Sequence, residues 1–255
     1  MNQLFSFSRF SRLFSRHTAE FLPGYAMATA VLAGGIGLVL GFVVYLNVLN
    51  PEIQGLLFQL GLLSAGALFT AGIFAQYGAP KQATVALTLP ASQLEKYLVG
   101  WVYSFLIFSV VYTACYYLVD WLMVGMDDWY GRPKELFSLF DAHKLYEAYF
   151  YYAALHAGAL WGAIFFEKNH FIKTAFGALV LGIVLIAANY QVVKAFVGDH
   201  LQMASPFSGI TLSEAPDLYR VSLPDAQAQW FILLPLALAV LLWRATYLRL
   251  TEKQL

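Results

Sequence analysis

Charge is what this chain has least of. Asp, Glu, Lys and Arg make up 12% of its 255 residues, about half the share of an ordinary soluble domain. That excludes a water-soluble globule with a charged shell. The 15 basic residues are balanced by 15 acidic ones, so net charge gives no case for a nucleic-acid partner. There is one cysteine, Cys115, which excludes an internal disulfide; it lies in an apolar run and reads as a small core residue. The phosphate-cradling G-x-x-x-x-G-K-[ST] is missing, as are H-E-x-x-H, C-x-x-C and G-x-S-x-G. No catalytic residue, metal ligand or cofactor is therefore expected, and energy for any transport must come from an ion gradient or a partner. A clear internal repeat and midplane charges, the usual marks of secondary transporters, are lacking too.

What is abundant is hydrocarbon. Sixty per cent of residues are hydrophobic, and apolar runs recur that are long enough to cross a core of about 30 Å. The pattern predicts an all-α polytopic membrane protein with spans at about 25–48, 54–77, 98–123, 145–166, 174–196 and 229–247, six helices in one domain over 23–255. Ala33, Gly37 and Gly41 form a small-residue stripe on the first span, and Ala67, Ala71 and Ala75 form one on the second; such stripes let helices approach closely. Asn50-Pro51 marks a tight turn. Tyr112, Tyr116, Tyr117 and Trp121 suit an interfacial aromatic belt.

Residues 1–22 have no apolar signal-peptide core. Drawn as a helix, Phe7, Phe10, Leu13, Phe14 and Phe21 fall on one side, and Arg9, Arg12 and Arg16 on the other. The segment is expected to be an interfacial helix with its arginines among lipid phosphates.

Lysine and arginine set the orientation. With both ends inside, Arg9, Arg12, Arg16, Lys81, Lys96, Lys168, Lys173, Arg244, Arg249 and Lys253 are cytoplasmic. Arg132, Lys134, Lys144, Lys194 and Arg220 are then outside. The positive-inside rule favours this arrangement.

Few ionisable groups fall within the spans. Asp120 and Lys194 could pair near the outer surface; Glu147 opens span four, and His156 lies near its middle. A mid-membrane histidine is a functional candidate by default. No second ligand or carboxylate shares its depth, so a neighbouring helix's carbonyl or hydroxyl is the expected partner. An enzyme centred on His156 and Glu147 is a weaker reading, because helical spacing points the two to opposite faces.

The interval Lys81–Trp101 stands apart. Pro90 suits a first turn, Ser92 and Glu95 match a capping box, and Leu94, Tyr97 and Leu98 share a face. The spacing predicts a short amphipathic helix leading directly into span three, either a partner-facing element or simply a capped helix end. This interval resembles the cytoplasmic segment between spans two and three of ABC-2 type transporter permeases. Thr84, Leu89, Pro90, Ser92, Glu95 and Gly100 stand at matching places, in a version similar to permease-like proteins of the Bacteroidetes group. Ser205-Pro206-Phe207 loosely resembles a stretch of the family's outer segment. One departure is Lys81-Gln82, where family members commonly place an acidic residue before the threonine.

The resemblance implies a half-transporter in a bacterial inner membrane, with both termini cytoplasmic. It would pair with a second permease copy or a paralogue, and a separate ATP-binding cassette subunit would drive export. Pro90, Ser92, Leu94, Glu95, Tyr97 and Leu98 would form the coupling helix. The N-terminal helix, through Arg9, Phe10, Arg12, Phe14 and Arg16, would brace it. A non-transporting membrane scaffold or assembly protein of the same fold is the alternative.

Overall fold

Each long apolar run is helical. The computed structural model describes residues 5–74, 91–131, 133–140, 145–166, 169–204, 209–214, 217–221, 230–231 and 233–252. Its helices are α1 (Phe7–Leu46), α2 (Pro51–Phe74), α3 (Gln93–Met126), α4 (Ala148–Phe165), α5 (His170–Val197) and α6 (Leu233–Glu252). Five of them, α1, α2, α3, α5 and α6, are long and apolar enough to cross a membrane. The remaining one, α4, has 18 residues and packs against α2, α5 and α6.

The stripes of small residues do what their spacing suggested. Gly37 and Gly41 of α1 lie against Val119 and Met123 of α3. Ala67 and Ala71 of α2 are buried. Gly66, beside them, leaves room for the Tyr152 ring of α4, which a methyl group would overlap. The turn at Asn50 is also as expected: its side-chain oxygen accepts from Ile53 N at 2.9 Å, and Pro51 takes the first helical position. Tyr112 donates to Phe58 O at 2.9 Å and Tyr116 to Gln54 O at 2.6 Å. Span three is thus tied to span two by side chains in the core rather than in an interfacial belt.

Two expectations need correction. The segment 1–22 is not a separate interfacial helix, because α1 runs unbroken for 40 residues with Pro23 inside it. Proline deletes one helical hydrogen bond, but His17 Nε2 and Tyr25 Oη bond at 2.7 Å across it, and both rings pack on Tyr103. The expected short helix behind the Ser92–Glu95 capping box is present and leads directly into span three: Gln93 opens α3, which continues through a π-helical stretch, Val102–Ile107, to Met126. Finally, the stretch between spans five and six departs from the all-α expectation. It carries a three-stranded antiparallel sheet, β1 (Leu201–Ala204), β2 (Ile210–Glu214) and β3 (Asp217–Val221), in the order β1-β2-β3. The alternation in Ile210-Thr-Leu-Ser-Glu214 suits a strand, so the fold is helical with a small sheet added.

At one end of the bundle, Ser6 meets Glu95, and Leu250 packs with Phe74 and Tyr97. Residues near the start and near the end of the chain therefore share that end. At the opposite end, Asp127 Oδ2 accepts from Leu49 N at 2.8 Å.

Candidate functional site

The capping box read from the sequence is present and extended. Ser92 Oγ accepts from Glu95 N at 3.2 Å, and Glu95 Oε2 accepts from Ser92 N at 2.9 Å. The carboxylate also reaches a second helix. Its Oε1 accepts from Ser6 N, the residue capping α1, at 2.8 Å, and Arg9 donates to the same carboxylate at 3.1–3.3 Å. One anion thus satisfies orphan N–H groups at two helix starts, where macrodipoles favour negative charge. Glu95 is fully buried, while the Arg9 side chain is 37% exposed.

This geometry revises the expected roles around the motif. Arg9 turns to Glu95 rather than outward to lipid phosphates. Arg12 is exposed, and Arg16 lies 3.9 Å from Glu20 on the surface. Phe14 stacks on Tyr103 at 5.0 Å and Phe10 packs on Phe14 at 6.2 Å, so the middle of the aromatic face turns inward while Phe7 and Phe21 stay exposed. Tyr97 is buried, its hydroxyl donating to Trp243 O of α6 at 3.2 Å. Leu94 and Leu98 are half-buried, and Leu98 packs beside Phe74. Lys96 is also buried. Gly100 is held open for Phe74, whose ring would lie 2.6 Å from an added Cβ. Thr84, Leu89 and Pro90 fall outside the described residues, as do Lys81 and Ser205-Pro206-Phe207.

His156 is fully buried between three helices. Trp243 Nε1 donates to His156 Nδ1 at 3.0 Å, and His156 Nε2 lies 2.8 Å from Ser104 Oγ. An indole N–H only donates, so Nδ1 is the acceptor and the ring proton sits on Nε2, directed at Ser104. Ser104 Oγ in turn donates to Gly100 O at 2.8 Å. The chain of bonds closes with both ring nitrogens partnered. A hydroxyl partner was legible from the sequence; the tryptophan, 87 residues away in the chain, was not. Tyr152 completes the cluster by donating to Ser104 O at 2.6 Å.

The remaining polar candidates do not converge. Lys194 pairs with Asp199 at 3.0 Å, so the anticipated bond to Asp120 is not formed. Asp120 is fully buried, and neither carboxylate oxygen has a hydrogen-bond partner among the described residues. Glu147 ends a single 3-10 turn at the N-cap position of α4 without a side-chain capping bond, apart from the His156 cluster. Cys115 is partly buried. Among the described residues, no group of three or more His, Cys, Asp or Glu side chains comes together to hold a metal.

Two arrangements therefore stand out: a closed intramembrane network at His156, and an anionic clasp at Glu95 joining the start of α1 to the start of α3. Comparison with protein-family models, curated proteins and solved structures gives no match to this chain.

Proposed function

We propose that this chain is the membrane subunit of an ATP-driven exporter of ABC-2 type. Six spans would lie in a bacterial inner membrane, with both termini cytoplasmic. It would work with a second copy or paralogue and a separate ATP-binding cassette subunit. The observation that carries this reading is the Glu95 clasp. The capped start of α3, which resembles the family's coupling segment, is braced by the N-terminal segment through Ser6 and Arg9. The basic residues Arg9, Lys96, Lys173 and Arg249 gather toward that end, which supports a cytoplasmic placement.

Burial narrows the contact surface. Glu95 and Tyr97 are spent inside the fold, so docking falls to half-buried Leu94 and to the preceding 81–90 segment. The same burial is what favours the scaffold alternative, in which the motif serves the fold alone.

The test is co-expression with the ATP-binding subunit and pull-down at equal membrane abundance. Leu94→Arg should bind it at least ten-fold less than wild type, since an apolar docking groove rejects an unpaired guanidinium. Ser11→Arg, on the exposed side of α1, should bind normally. Equal binding by wild type and Leu94→Arg would remove the docking role and favour the scaffold reading.

A further inference from the structure

Helices α1 and α2 diverge. α1 leans on α3 and α2 on α4, and a cavity of about 800 Å³ remains between α1 and α2, floored by α3. Its walls are apolar over most of their length, with Ala28, Leu32, Leu68, Phe69, Ile107 and Phe108 among them. Its polar groups collect at one end, where His17, Tyr25 and Tyr103 meet. There His17 Nε2 bonds to Tyr25 Oη at 2.7 Å. Thr18 Oγ1 donates to Phe14 O, so the Tyr103 hydroxyl donates to Thr18. With a neutral imidazole, the His17–Tyr25 pair keeps one donor free, the second imidazole N–H or the Tyr25 O–H according to which of them donates in their shared bond.

The dimensions suit an acyl chain. The wall on α1 runs from His17 to Leu32, about 22 Å at the helical rise of 1.5 Å per residue. That is one leaflet's tail region, about 15 Å, plus a head group. The volume open to atom centres, divided by that length, gives a path on the order of 36 Å² in section, which an extended alkyl chain fits. The polarity gradient agrees: the polar end lies toward exposed Arg12 and Arg16, and the apolar walls extend toward the bundle's middle.

We infer that this furrow is a binding site for a fatty-acyl amphiphile from the bilayer. Its tail lies between α1 and α2, and its anionic head accepts a hydrogen bond from the donor that the His17–Tyr25 pair leaves free. The inference does not depend on the transporter reading.

Two glycines make the test clean. Gly24 and Gly72 line the furrow, and a Cβ on either meets nothing within 4 Å. The full chain in lipid nanodiscs is exposed to a palmitate analogue carrying a mid-tail diazirine, and photolabelled peptides are mapped. Label should concentrate on residues 24–32 and 65–73. Gly24→Leu/Gly72→Leu fills the space and should cut labelling at least five-fold. Gly125→Leu, equally unobstructed but outside the furrow, should label as wild type does. His17→Phe/Tyr25→Phe should weaken labelling by the palmitate analogue several-fold but leave an alkane diazirine unaffected. Equal labelling of the filled variant and wild type would overturn the site, as would label spread evenly along α5. Disulfide trapping of two copies through Gly72→Cys, with no tail label, would assign the furrow to a second copy instead.

Discussion

Replacing Glu95 tests the clasp most directly. Its carboxylate takes two backbone N–H groups, Ser6 at 2.8 Å and Ser92 at 2.9 Å, and is itself fully buried. Hydrogen bonds to a charged acceptor contribute roughly 1.5–3 kcal/mol each, and a lost cap costs about 1 kcal/mol. The Arg9 ion pair is partly exposed, so by itself it adds at most about 1 kcal/mol. Glu95→Ala should therefore destabilise the start of α1 against the start of α3 by about 3 kcal/mol, roughly a 100-fold rise in the open population. Glu95→Gln keeps one acceptor and should cost about half as much, and Arg9→Ala about 1 kcal/mol. Trypsin reports the opening, since Arg12 and Arg16 lie just inside the end of α1, and limited cleavage tracks the open fraction when closing is fast. Cleavage rates should rank Glu95→Ala, Glu95→Gln, Arg9→Ala, wild type. Combining Arg9→Ala with Glu95→Ala should cost clearly less than the sum of the two. Additive effects, or cleavage unchanged in Glu95→Ala, would refute the clasp.

Trp243→Phe removes one bond to His156 and should lower stability in detergent by about 0.6–1.7 kcal/mol. His156→Phe, which strands the Trp243 N–H as well, should cost about 2 kcal/mol by thermal unfolding. Gly162→Ala should lower the melting temperature, because the added methyl would come within 2.7 Å of Thr174 Cβ and push α5 from α4; overpacking of this kind costs about 1–3 kcal/mol. In a Cys115→Ser background, Ser11→Cys and Glu252→Cys should react with an impermeant maleimide from one side of sealed vesicles, and Asp128→Cys and Tyr219→Cys from the other. Reaction of Ser11→Cys and Glu252→Cys from opposite sides would reject the even number of crossings.

The local parts of this architecture were legible in the sequence, and the long-range parts were not. Ser92 and Glu95 lie three positions apart, so their reciprocal bonds follow from helix geometry alone. Glu95 meets Ser6 across 89 residues, a pairing set by how α1 lies along α3 and written in no local pattern. The arginine and aromatic faces of the first segment were visible. The separation of segment 1–22 from the first span failed because His17 and Tyr25 hold the helix on both sides of Pro23. The sheet between spans five and six was not expected, although Ile210–Glu214 alternates as a strand does. Asp120 and Lys194 showed only shared depth, which says nothing about facing, and Asp199 lay closer to the lysine.

α1 and α3 are joined at both ends of their shared length. Glu95 holds the capped starts together, and Leu49 N is bonded to Asp127 beyond the far ends. Between them Thr18 bonds to Tyr103, and Gly37 and Gly41 seat against Val119 and Met123. Mechanically this is a doubled rod about 50 Å long. Neither helix can slide or roll past the other without breaking contacts at several levels. A push at Arg9 and Glu95 should therefore reach the Asp127 loop through these contacts, because the two helices have to move as one.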